Sequence, residues 1–126
     1  MKLGTFLIGT WLLLALAACD TIAPSPTPTL PAEVVRGRQV FERNCATCHS
    51  TTPDMIVVGP SLAGIATRAA TRIPGMDAEA YIRESIAYPG NYTVEGFREG
   101  IMPDQVIESL APEDFEAVVD YLMTLE

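Results

Sequence analysis

Histidine and lysine are almost missing from this chain of 126 residues, which has one of each, His49 and Lys2. Lys2 stands at the head of a leader, so the rest of the chain has only arginine as its cation. Removing Lys2 takes the formal charge from −8 to −9. That balance repels phosphate backbones and excludes nucleic acid as a partner. It also excludes docking through a ring of lysines. From Ile101 onward there is no basic residue at all, and the acids there read as a solvated helical face. No segment alternates with the two-residue period of a strand, and no internal repeat stands out. Cysteine is scarce too: Cys19, Cys45 and Cys48 with one histidine fall short of a structural zinc site once Cys19 is assigned elsewhere.

What is present begins with the leader. Lys2 precedes an apolar run from Leu3 to Ala18 that ends in Leu16-Ala17-Ala18-Cys19. A positive start, a short hydrophobic stretch and small residues at its end form a secretion signal. The run is short for a bilayer span, which takes about 20 apolar residues. Leu-Ala-Ala-Cys resembles the lipobox of bacterial lipoproteins, which implies a signal over 1–18 and lipid on Cys19. An uncleaved anchor and an ordinary cleaved signal are the rivals. Asp20 resembles an inner-membrane retention signal, so the expected location is the outer face of the cytoplasmic membrane, the periplasmic side where an outer membrane exists. Residues 19–32 hold Pro24, Pro26, Pro28 and Pro31 among serine and threonine. Such a linker stays extended at about 3.1 Å per residue, so residues 20–32 reach roughly 40 Å. The folded domain is expected over residues 33–126, small for a self-sufficient core.

Within that domain stands Cys45-Ala46-Thr47-Cys48-His49. Two thiols three apart with a histidine directly after the second is the attachment signature of a c-type haem. On one helical turn residues i and i+3 share a face, so both sulfurs can reach one porphyrin edge. The adjacent imidazole of His49 can then ligate the iron. A thioredoxin-like pair would need neither the histidine nor lack a βαβ pattern as this chain does. A disulfide between Cys45 and Cys48 would close a very short, strained loop. A buried porphyrin would also supply apolar surface that so small a domain lacks.

Helical periodicity predicts a first helix from about Glu33 to Cys48 carrying Val34, Gly37, Val40 and Phe41. A short helix is expected over Ile65–Thr71. A third is N-capped by Asp77 and runs to about Ala87, before Pro89. The last starts at Pro112, with Glu113 and Asp114 in its first turn, and runs to about Leu125 with Phe115, Val118, Tyr121, Leu122 and Leu125 as its apolar stripe. Among the methionines of this region, Met55 lies too close to His49 to pass around a porphyrin edge. Met76 is possible, Met123 has core periodicity, and Met102 sits in the loop Gly100-Ile101-Met102-Pro103.

Gly37-x-x-Val40-Phe41, the Cys-x-x-Cys-His motif, Gly59-Pro60-x-Leu62-x-Gly64 and Met102-Pro103 together resemble class I c-type cytochromes. The stretch from Tyr81-Ile82-Arg83-Glu84-Ser85-Ile86 through Met102-Pro103 is similar, more loosely, to haem c domains associated with respiratory oxidases. The resemblance implies an all-α fold, with the first and last helices crossed near Gly37, Phe41 and Tyr121 around covalent haem c. It implies the Pro60 carbonyl as hydrogen-bond acceptor for His49 and Met102 as the second iron ligand. Without it, Gly59-Pro60 is only a turn. Arg68, Arg72 and Tyr92 flank the expected pocket and are candidates to meet the propionates. At the last helix, Ala111 departs from the family's usual serine or threonine cap.

Histidine and methionine would fill both axial positions and raise the potential. The function then expected is membrane-tethered electron transfer without a small-molecule substrate. Redox partner proteins would dock at the haem edge, the chain serving as mobile carrier or as subunit of a respiratory or photosynthetic complex. It is not expected to be an enzyme by itself. The alternative is a haem enzyme or gas sensor with a displaceable sixth ligand, although no distal histidine exists for peroxide chemistry. A third reading is an adaptor lipoprotein whose haem only completes its core.

Overall fold

A computed structural model describes residues 29–126. The leader, Cys19 and nearly all of the proline-rich linker lie outside the described residues. Five helices follow in order: α1 Ala32–Asn44, α2 Ile65–Ala69, α3 Ala78–Ala87, α4 Gln105–Glu108 and α5 Pro112–Met123. Among the described residues there is no strand, only an isolated bridge between His49 and Ile56. The all-α expectation holds.

The frame is the crossing of α1 and α5. α1 buries Val34, Gly37, Val40 and Phe41, and α5 buries Ala117, Val118, Val119 and Leu122. The α1 set recurs at three- and four-residue intervals and so forms one stripe, and in α5 Val118 and Val119 stand four and three residues before Leu122, with Ala117 beside them. The backbones touch at Gly37, where an added Cβ would lie 1.8 Å from the Ala117 carbonyl oxygen and 2.7 Å from Tyr121 Cβ. Beside it the rings of Phe41 and Tyr121 pack with centroids 5.6 Å apart. Ala111 gives α5 no side-chain cap, but Pro112, Glu113 and Asp114 fill its first turn. Arg36 of α1 reaches Asp114 at 2.7 Å and Glu113 at 3.7 Å, which ties the two helices at this end.

α3 begins where Asp77 accepts a hydrogen bond from the Ala80 amide at 2.8 Å. It contributes Tyr81, Ile82 and Ile86 to the core that α1 and α5 share. Arg83 lies on its outer face, 2.6 Å from Glu116 of α5, 2.8 Å from Glu79, and over the Phe115 ring.

The first helix expected to run to Cys48 stops at Asn44. The Ala46 amide returns to the Phe41 carbonyl at 3.0 Å, one residue further back than an α-helix allows. The amides of Cys48 and His49 then both turn onto the Cys45 carbonyl. The two cysteines therefore share a separate irregular turn. The helix expected over 65–71 ends at Ala69, and the last ends at Met123, where Thr124 Oγ1 donates to the Tyr121 carbonyl. α4 was not foreseen, because four residues with none buried leave no periodic signal.

Candidate functional site

The turn after α1 opens onto a cleft of about 290 Å³ lined by Cys45, Cys48, His49, Pro60 and Met102. Its apolar wall includes Ile65, Ile82, Ile86, Phe97, Val106 and Leu122, so it is bounded by the core itself. Cys45 and Cys48 are not bridged. Burial, and then the neighbouring Cys48, push the Cys45 thiol up to about 11. As a free thiol it would stay protonated at neutral pH, the form that exchanges poorly with disulfides.

His49 is held from below. Its Nδ1 lies 2.8 Å from the Pro60 carbonyl oxygen. A carbonyl only accepts, so the proton sits on Nδ1 and the Nε2 lone pair is left for a metal. The chain reaches Pro60 because the excursion over residues 50–58 is closed at its neck. The amides of Gly59 and Val58 donate to the Cys48 carbonyl at 2.8 and 3.1 Å, and the Leu62 amide donates to Ser50 at 2.7 Å. Gly59 passes against the imidazole. A Cβ there would stand 2.4 Å from His49 Cε1, so the backbone cradles the ring only without a side chain.

Met102 follows Gly100, whose φ of 66° is a left-handed turn. Of the methionines among the described residues, it alone lines the cleft. Met55 is half exposed, and Met76 and Met123 pack against the core.

The candidates near the pocket have distinct surroundings. Arg68, Arg72 and Tyr92 all line the cleft. Arg68, however, donates to the carbonyls of Ser61, at 2.8 Å, and Ala63, so its guanidinium clamps the loop after Pro60. Arg72 lies over the rings of Tyr81 and Tyr92 at 5.6 and 5.9 Å, and those rings meet edge to face. Arg98 also lines the cleft. Sequence reasoning passed over it, although it stands only four residues before Met102.

Among the described residues no three His, Cys, Asp or Glu side chains gather as a metal site. The donors in the cleft are instead one imidazole and one thioether, with two thiols on a single turn and an apolar wall. That set fits a planar, covalently bound iron macrocycle.

A family model described as cytochrome c matches residues 34–126. The chain is also similar to photosystem II extrinsic protein V of Prochlorococcus marinus strains MIT 9303 and MIT 9313. Each alignment is 25% identical over 100 residues, covering 75% of this chain and 59% of the relative. The chain thus spans a little over half the length of these curated relatives.

Proposed function

Since the chain belongs to the cytochrome c family, whose members bind haem c covalently and transfer electrons, we propose that it is tethered to a membrane by lipid on Cys19 and carries single electrons between docked proteins. When bound, the haem supplies a one-electron ferric/ferrous couple. Cys45 and Cys48 would hold it through thioethers, and His49 Nε2 and the Met102 sulfur would be its iron ligands. The Pro60 carbonyl fixes the orientation of the imidazole. The methionine favours the ferrous form.

The observation that carries this reading is that Met102 is the described methionine that lines the cleft with His49. Two protein ligands would leave the iron no position for a substrate. The chain's part is then to hold its ligands still, exclude water with the apolar wall and present an edge to partners. Lipid on Cys19 would be the tether, with the proline-rich linker between it and the domain, on the outer face of the cytoplasmic membrane. The relatives' name ties those proteins to photosystem II. It supports a place in a photosynthetic complex beside that of a mobile carrier, and both would use the same edge.

The test is spectroscopic. The ferric full-length holoprotein is expected to show a band near ~695 nm from iron–methionine charge transfer, and Met102→Ala to lose it. The ferrous wild type is expected to resist carbon monoxide at neutral pH and the variant to bind it. A band that survives the substitution overturns the axial assignment. Ready binding by the wild type would favour an enzyme or gas sensor instead.

A further inference from the structure

The stretch that carries Met102 to the cleft has few holds on the rest of the fold. Among the described residues, the chain from 92 to 102 makes a single hydrogen bond, from the Phe97 amide to the Val94 carbonyl at 3.0 Å, and it stays inside the stretch. Gly96 and Gly100 take left-handed φ of 87° and 66°, with open space where a Cβ would stand. Val94, Phe97 and Met102 line the cleft, and none of them joins the core that α1, α3 and α5 share.

Tyr92 is the exception. Its ring meets that of Tyr81, a buried core residue of α3, edge to face, with 5.6 Å between centroids and 77° between planes. The Arg72 guanidinium, which follows α2, lies 5.6 Å from the Tyr81 centroid and 5.9 Å from that of Tyr92, so one cation serves both rings. One residue earlier, Asn91 Nδ2 donates to Glu84 at 2.9 Å, an exposed bond for which water competes. Tyr88, at the start of the same loop, has no ring or cation contact among the described residues.

We propose that Tyr92 is a positioning residue for Met102: its ring, seated on Tyr81 beside Arg72, latches the loop and so sets how readily the methionine sulfur yields its place to a ligand from solvent. This rests on the haem and on the Met102 ligation proposed above. The competitor has to come from outside the domain. His49 is the only histidine and Lys2 the only lysine, and arginine keeps its proton. When a loop opens for a small fraction of the time, the apparent affinity for such a ligand is its intrinsic affinity scaled by that fraction. One edge-to-face pair and one cation–π contact together are worth about a tenfold change in the open fraction.

The test is an imidazole titration of the ferric full-length holoprotein, read by loss of the iron–methionine band. Relative to wild type, Tyr92→Ala is expected to bind imidazole about tenfold more tightly. Tyr92→Phe should stay within about twofold of wild type, because the ring holds the loop and the hydroxyl does not. Tyr88→Ala removes a more exposed ring from the same loop and should also stay within about twofold. Should Tyr92→Ala fail to fold, Tyr92→Leu makes the same comparison, with binding at least about threefold tighter expected. Unchanged binding on loss of the Tyr92 ring, a Tyr92→Phe variant as open as Tyr92→Ala, or an equal change in Tyr88→Ala overturns the proposal. A wild type that shows no methionine band before imidazole is added fails the ligand assignment itself, and the latch falls with it.

Discussion

At Gly37 the lack of a side chain sets the distance between α1 and α5. Alanine would gain about 1 kcal/mol in helix propensity over glycine. Its methyl, however, would meet the Ala117 carbonyl oxygen at 1.8 Å, and backbone cannot step aside as a flexible side chain can. Overpacking costs typically about 1–3 kcal/mol. With a contact this short the upper part of that range applies, and the net is a loss. Gly37→Ala in the holoprotein is expected to melt about 5–15 °C lower, at about 4–8 °C per kcal/mol for a domain of this size. A melting temperature at or above the wild type's would show that the helices have room to part. This glycine was legible as sequence, since it interrupts a helical stripe four residues before an aromatic. The hydrogen bond from His49 to Pro60 was legible only through family resemblance, because read alone Gly59-Pro60 signals a turn and no partner. The carbonyls that occupy Arg68 were not legible at all. A side chain that bonds the backbone of a neighbouring loop leaves no mark in residue type or spacing.

Elements were readable where they bury a face. α1, α3 and α5 each repeat apolar residues at helical spacing, and the sequence located all three. Their ends were less readable, since the turn after Asn44 is set by hydrogen bonds onto the Phe41 and Cys45 carbonyls and not by a breaker residue. α3 and α5 are also held from outside by Arg83, which reaches Glu116 with both terminal nitrogens, at 2.9 and 2.6 Å. The Arg83 hydrogen bonds hold the Glu116 carboxyl below its ordinary value. Glu116, and then Glu79, raise Arg83, which stays charged throughout. A carboxyl with a lowered folded pKa adds stability above its unfolded value, about 4.3 for glutamate, and loses it as pH falls through the folded pKa. Glu116→Gln is therefore expected to melt below the wild type at pH 6–7, by a small margin for so exposed a pair. The gap should close as pH drops below about 4. Melting curves of both proteins across that range decide it, and a gap that persists unchanged in acid would mean the clasp is not ionic.

For the molecule as a whole, the question is how an acidic domain without lysine engages its partner. Beside His49, the loop over residues 50–58 exposes Met55, Ile56 and Val57 at 50, 66 and 51%. These three do not line the cleft, so a haem would leave them uncovered. Their exposure is fixed by hydrogen bonds, with the Thr52 amide donating to Ser50 Oγ at 2.9 Å and Ser61 Oγ donating to the Thr52 carbonyl at 2.7 Å. Three apolar side chains held in water beside His49 form an exposed patch of the kind that a partner could bury. Asp54 is the single charge in the loop. Docking there would be governed by apolar burial, which salt does not screen, at about 25 cal/mol per Å² removed from water. In detergent-solubilised membranes the partner that co-purifies with the full chain is expected to stay bound when ionic strength is raised to about 0.5 M. An Ile56→Ser, Val57→Ser double variant should bind it at least about tenfold more weakly, since burying one such aliphatic side chain is worth about 1.5–3 kcal/mol. Both substituted positions lie outside the cleft, so the haem spectrum should not change. If the complex falls apart in salt while the double variant binds normally, charge elsewhere on the surface does the recognising and the loop does not.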